Sequence, residues 1–332
     1  MQKLLIGLGL AVLFSCGSRT TATPSTAETK EDTYPTAVRP EFNADSAFQR
    51  VADQVNLGFR TPGSEAHTKC QQLIVAKMKQ YGADTIYVQR GEATAFDGTR
   101  LPIANIFASV NPDAEKKILL IAHYDTRPWA DNDPDKANHK KPVAGANDGG
   151  SGVAVMLEIA RALHTARPEI GIDFFFTDVE DYGSDSDSGN GEDSWALGTQ
   201  HWVASQPYSP EKRPAFGIVL DMVGGRNARF PREYASSRFA PAIVDRVWGI
   251  AASSPYADRF PNHIGGAVVD DHIYINSLGI PCIDIIETAN PETGSFPPTW
   301  HTVSDNLDNI DPATLKAVGE VLLELIYSEP AK

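Results

Sequence analysis

The sequence has few cysteines, no excess of positive charge and, after its first residues, no long apolar run. Only three of its 332 residues are cysteine, which excludes a domain held together by several disulfides. Acidic residues (43) outnumber basic ones (29), and no basic stripe indicates a nucleic-acid surface. No segment beyond residue 14 is apolar enough to cross a bilayer. We therefore expect any membrane contact to depend on the N-terminus.

The first 16 residues are typical of an export signal. Lys3 gives a basic start, residues 4–14 form an apolar segment too short to span a membrane, and Ser15 precedes Cys16. Residues 13–16 resemble the lipobox of bacterial lipoproteins. This implies removal of residues 1–15, a lipid on Cys16 and anchoring to a bacterial membrane facing the periplasm. An ordinary signal with an incidental cysteine is the alternative.

Residues 16–43 are rich in Thr, Ser, Pro, Glu and Lys and have little to bury, so we predict a disordered tether. Residues 44–332 are then predicted to form one domain, long enough for a large core. Cys70 falls in a helical pattern and Cys282 in a strand pattern. These two cysteines are predicted to be buried free thiols, although an exported protein could join them in one bridge.

Helical and strand patterns alternate along this domain. Ser64 is a predicted N-cap with Gly82 ending its helix, and Asp311 with Pro312 begins the last helix. Such alternation predicts an α/β fold with a mixed, mostly parallel central sheet flanked by helices. Helices are predicted at 45–57, 64–81, 153–163, 199–204, 241–252 and 312–327, and strands at 84–89, 104–109, 118–122, 172–177, 216–220 and 280–286.

Imidazole and carboxylate side chains follow several of the predicted strands. His123 ends one strand, Glu180 and Asp181 follow the next, Asp221 follows another, and His301 comes after the last. Asp148 precedes a helix in a glycine-rich loop. Each residue alone fits a turn or a structural hydrogen bond, but parallel strands end at one edge of a sheet. Histidine and carboxylate ligands without cysteine indicate a catalytic Zn²⁺ site, whereas Mg²⁺ would make little use of the histidines.

Several segments, in this order, resemble the zinc aminopeptidase-related superfamily, and within it the animal-type glutaminyl cyclases. The resemblance runs from about residue 45 to the C-terminus, and it implies a zinc exopeptidase-like α/β sandwich in a single domain. Trp300 before His301, the segment at residues 270–273 and Trp195 favour the cyclase branch. The segments are His123-Tyr124-Asp125, Gly145-Ala146-Asn147-Asp148-Gly149-Gly150-Ser151-Gly152, Glu180-Asp181, Leu220-Asp221-Met222, Asp270-Asp271-His272 and Trp300-His301-Thr302.

The resemblance also implies roles for individual residues. One Zn²⁺ per chain would be bound by Asp148, Asp181 and His301, with His123 kept as a supporting or vestigial ligand of a second metal. Asp181 departs from the animal members, which usually have glutamate there. The remaining roles are Glu180 as proton shuttle, Asp221 and Asp270 as an acidic pair, and Trp195 and Trp300 as walls of the substrate pocket.

The implied reaction converts the N-terminal glutamine of a peptide or protein to pyroglutamate and releases ammonia. Two other functions stay open. The five ligand positions of a two-zinc aminopeptidase are all present, so hydrolysis of N-terminal residues is one alternative. A non-catalytic binding lipoprotein of the same fold is the other. The sequence leaves the oligomeric state open.

Overall fold

The computed structural model describes residues 38–184, 192–205 and 207–331. The predicted signal, Cys16 and most of the predicted tether lie outside these residues, as do residues 185–191. Within the described residues, the chain packs against the domain before residue 44. The Phe42 side chain is fully buried, and Arg39 forms ion pairs with Glu320 and Glu324. The folded part therefore begins earlier than the predicted boundary.

Six strands form one sheet in the order β1-β2-β4-β3-β5-β6. β1 pairs antiparallel with β2, and β2 pairs antiparallel with β4. The four strands β4, β3, β5 and β6 are parallel. This confirms the predicted mixed, mostly parallel sheet. The strands are β1 (Thr85–Thr94), β2 (Arg100–Val110), β3 (Lys117–His123), β4 (Gly171–Thr177), β5 (Phe216–Leu220) and β6 (Cys282–Ile285).

Eight α-helices accompany the sheet in the described residues. Ser64 accepts a hydrogen bond from the His67 amide as N-cap of α2, and Asp311 caps α8, both as predicted. The short helices α5 and α7 were not predicted. The helices are α1 (Ala44–Val55), α2 (Glu65–Gln80), α3 (Gly150–Thr165), α4 (Leu197–Ala204), α5 (Tyr234–Phe239), α6 (Pro241–Ala252), α7 (Asp271–Ser277) and α8 (Pro312–Ser328).

The four parallel strands are almost entirely buried on both faces, which explains why β3 is an unbroken apolar run. Ile118 and Leu120 pack into the larger core with α1, α3 and α8, whereas Leu119 and Ile121 pack into a second core with Trp202 of α4. Cys70 and Cys282 are buried and free, as predicted. Among the described residues, no helix has the length and apolar character that a membrane span needs.

Candidate metal centre

The parallel strands bring the predicted metal ligands to one edge of the sheet. His123 is the last residue of β3, Asp181 follows β4, Asp221 follows β5, and His301 lies in a turn after β6. Asp148 lies in the turn that leads into α3. All five belong to two groups of convergent ligand atoms. The sequence prediction that they meet at this edge is therefore correct.

The two groups share Asp148. In one group, His301 Nε2 lies 3.1 Å from Asp181 Oδ1 and 3.7 Å from Asp148 Oδ2. In the other, His123 Nε2 lies 3.0 Å from Asp148 Oδ1 and 3.3 Å from Asp221 Oδ1. Ligand atoms about 2.0 Å from a tetrahedral zinc ion are separated by roughly 3.3 Å. Both groups fit zinc, and the shorter Asp181 side chain reaches its position.

The backbone is strained beside these ligands. Val179 (φ 52°), Ala196 (φ 51°), Met222 (φ 50°) and His301 (φ 53°) adopt the left-handed conformation that non-glycine residues rarely occupy. Each one is a predicted site residue or lies next to one in the chain. Such strain costs about 1–3 kcal/mol per residue and persists mainly where function requires it. Both the strained backbone and the convergent side chains therefore indicate a functional site at this edge of the sheet.

Two further aspartates hold the ligand loops in place. Asp125 accepts hydrogen bonds from the backbone amides of Glu180 and Asp181, both at 3.1 Å. Asp305 accepts hydrogen bonds from the amides of Asn147 (2.7 Å) and Asp148 (3.0 Å). Asp125 lies in the segment His123-Tyr124-Asp125 but was not predicted to have this role, and Asp305 was not predicted at all. Partners of this kind orient the ligands of a metal.

Glu180 is buried beside the ligand groups. Burial is the largest cause that raises its pKa well above the usual value for glutamate; the charge of His123 opposes this increase and that of Asp270 adds to it. Burial, and then the charge of Asp148, raises the pKa of Asp221 to about 7. Asp270 also raises the pKa of Asp221. The structure thus brings Glu180, Asp221 and Asp270 into one electrostatic environment beside the candidate metal ligands.

Two tryptophan rings stack beside the imidazole of His301, a candidate metal ligand. The Trp300 ring centroid is 3.8 Å from the imidazole, and that of Trp195 is 6.0 Å from it, both nearly parallel to it. Arg127 was not predicted to be a site residue. Its guanidinium carbon lies 5.2 Å from the centroid of the Trp195 ring, and its Nη1 donates a hydrogen bond to the backbone carbonyl of Asp181. The two predicted pocket tryptophans are therefore next to the metal ligands.

A third group of candidate ligands lies at the N-terminus of α7. Its members are Asp270, His272 and Asp284, all buried, with ligand atoms within 4.8 Å of one another. His272 Nε2 is 3.3 Å from Glu233 Oε2, and Nδ1 is 3.8 Å from Asp284 Oδ2. We call Asp270, His272 and Asp284 the α7 cluster. The sequence did not predict it.

Comparison with known proteins assigns the family. The model of peptidase family M28 matches residues 105–326, more than half of the chain, and the chain belongs to this family. Glutaminyl-peptide cyclotransferase from Bos taurus is 25% identical over 79% of this chain and 76% of the relative. The family resemblance drawn from the sequence is confirmed.

Solved bacterial structures are more similar. Bacteroides thetaiotaomicron glutaminyl cyclase, bound to N-acetylhistamine, has a TM-score of 0.84 and 46% identity over 88% of this chain and 100% of that one. A Zn-dependent exopeptidase from Parabacteroides distasonis has the same TM-score, identity and coverage. These matches confirm the predicted zinc exopeptidase-like fold.

Proposed function

We propose that the protein is a glutaminyl-peptide cyclotransferase, which converts an N-terminal glutamine to pyroglutamate and releases ammonia. Its similarity to glutaminyl cyclases from animals and bacteria supports this activity. The observation that carries the proposal is the pair of tryptophans, Trp195 and Trp300, stacked against the ligand His301 beside the buried Glu180. These rings offer flat, apolar surfaces beside the candidate metal ligands and a buried carboxyl group, which suits a planar glutamine amide.

The proposed centre binds one Zn²⁺ through Asp148, Asp181 and His301. When bound, zinc supplies a Lewis acid that polarises the γ-carbonyl of the glutamine. His123 then serves as a hydrogen-bonding neighbour of Asp148 and Asp221 rather than as a ligand. Spectroscopic or elemental counting of one zinc per chain supports this assignment, whereas two tightly bound zinc ions contradict it.

The chain's own residues supply proton transfer and orientation. The α-amino nitrogen of the glutamine forms a bond to its own γ-carbonyl carbon, and the bond from that carbon to the amide nitrogen breaks. Glu180 accepts the proton from the attacking amine and returns it to the departing ammonia. Asp221 and Asp270 accept hydrogen bonds from the nitrogen atoms of the substrate. Trp195 and Trp300 exclude water and hold the side chain bent toward its amine.

The alternative function is that of a two-zinc aminopeptidase, and one observation favours it. His123, Asp148 and Asp221 have zinc-like spacing, although the proposed one-zinc cyclase uses only Asp148 of these three as a ligand. Release of amino acids from peptides by protein that contains two zinc ions per chain would support this function over the cyclase. A non-catalytic binding protein, the third possibility, would bind Gln-initiated peptides without converting them.

Incubation of the purified protein with a Gln-initiated peptide tests the proposal. We expect ammonia release and a mass loss of about 17 units, the mass of NH₃, both abolished by a zinc chelator. Glu180→Gln should lower kcat by about 10²- to 10⁴-fold because the proton acceptor is lost, while bound zinc stays unchanged. The exposed Glu169→Gln is the matched control with normal turnover. Near-normal turnover by Glu180→Gln would remove this residue from the mechanism.

We also propose that the substrates are exported proteins or peptides with N-terminal glutamine and that the enzyme is a lipoprotein of a bacterial membrane facing the periplasm. The support is the sequence of residues 1–16. Expression with labelled palmitate should label the wild-type chain, and Cys16→Ala should remove the label and release the protein from membranes. Membrane-free wild-type protein would contradict the anchor.

A further inference from the structure

Arg60 carries a fully buried guanidinium group in the loop between α1 and α2. Its donors reach three backbone carbonyls. Nε donates to Tyr124 (3.0 Å), Nη1 to Ala144 (2.8 Å) and Nη2 to Gly145 (2.6 Å). A buried arginine that binds carbonyls costs desolvation energy without forming a direct salt bridge, so its role calls for an explanation.

The three carbonyls flank two candidate metal ligands. Tyr124 directly follows His123, and Gly145 lies three residues before Asp148, so the guanidinium joins the two ends of the long loop between these ligands. The contact is reciprocal at one end, because the Thr126 amide donates to the Arg60 carbonyl at 3.2 Å. The Arg60 side chain therefore fixes both the residue where this loop leaves β3 and the residues where it approaches α3.

The fit at the returning end is tight. Gly145 has a φ of 62°, which glycine adopts without strain, and a Cβ at this position would lie 3.1 Å from Arg60 Nη2. Burial disfavours the charged guanidinium, while the negative charges of Asp305, Asp125 and Asp148 favour it. Asp305 in turn accepts hydrogen bonds from the amides of Asn147 and Asp148. Arg60 and Asp305 thus hold adjacent parts of one loop.

We propose that Arg60 is a positioning residue for the metal centre, which sets the affinity for zinc by fixing the backbone on both sides of the loop between His123 and Asp148. This inference rests on the zinc site of the proposed function and not on which reaction the site performs. Lysine cannot replace it, because one ammonium group lacks the planar fork that reaches three carbonyls in two segments.

The test compares zinc binding by the metal-free wild type, Arg60→Lys and Arg60→Met. Zinc dissociation constants are measured by competition with a chromogenic chelator, at a temperature where circular dichroism shows every variant folded. We expect about 10- to 100-fold weaker binding in both variants, as is typical when groups that orient ligands are lost. Arg60→Lys retains a positive charge, so it serves if Arg60→Met fails to fold.

Arg259→Met is the matched control. Arg259 is a partly buried arginine that likewise binds a backbone carbonyl, that of Ala228 (3.2 Å), and it also binds Thr314 and Asp311. We expect this variant to lower the melting temperature of the metal-free protein while its zinc affinity stays within about threefold of the wild type. Arg60→Lys with wild-type zinc affinity, or an equal loss in Arg259→Met, would overturn the proposal. Failure of the wild type to cyclise peptides would overturn the proposed reaction but leave this result intact.

Discussion

Two buried clusters in this protein have the same composition, one imidazole with two carboxylates, but different geometry. In the metal centre, Asp148 and Asp181 both approach the same nitrogen, Nε2 of His301. In the α7 cluster, the two nitrogens of His272 face different carboxylates, with Nε2 toward Glu233 and Nδ1 toward Asp284. His272 Nε2 thus faces a carboxylate outside the three cluster members, although the ligand atoms of those three also lie within 4.8 Å of one another.

The difference teaches that composition alone does not define a metal site. When three ligand atoms point their lone pairs at one position, they repel one another unless a cation lies between them. Around His272, Glu233 and Asp284 instead face different ring nitrogens, and Glu233 also accepts hydrogen bonds from the amides of Ala235 and Ser236. The imidazole of the α7 cluster thus faces a carboxylate outside the cluster, whereas in the metal centre two carboxylates approach one nitrogen and can share an added cation with it.

Removal of one carboxylate from each of the two clusters should produce the largest difference between them, in the binding of zinc. Asp181→Asn removes a convergent ligand oxygen, and we expect zinc binding to weaken by more than about 100-fold. Asp284→Asn removes a carboxylate of the same type from the α7 cluster, and we expect unchanged zinc content. Elemental analysis after dialysis against dilute zinc measures both. A loss of zinc from Asp284→Asn would make the α7 cluster part of the metal centre.

The sequence predicted those features that depend on local pattern. The six strands, the Ser64 cap and the ligands that follow strand ends were predicted because periodicity and short motifs encode them. The short helices α5 and α7 offer too few residues for a helical period to show. Arg60 and Asp305 were missed because their roles come from contacts with backbone groups about 60 to 160 residues away in the chain.

The smaller expected effect concerns Glu233, which faces His272 of the α7 cluster. Burial raises the pKa of Glu233, but the hydrogen bond and charge of His272, with the amide of Ser236, outweigh it and lower that pKa to about 2. The value in the unfolded chain is higher, so ionised Glu233 stabilises the fold above about pH 4.5, and this stabilisation is lost as the pH falls toward 2.

We therefore expect Glu233→Gln to lower the free energy of unfolding by roughly 2 kcal/mol at pH 6, with a smaller difference from wild type at pH 3. Urea unfolding of the metal-free protein at several pH values measures this difference, with Glu169→Gln as the exposed control. A difference that stays constant between pH 6 and pH 3 would show that Glu233 acts through its shape and hydrogen bonds rather than its charge. The contact between Glu233 and His272 would then stabilise the fold as a neutral hydrogen bond and not as an ion pair.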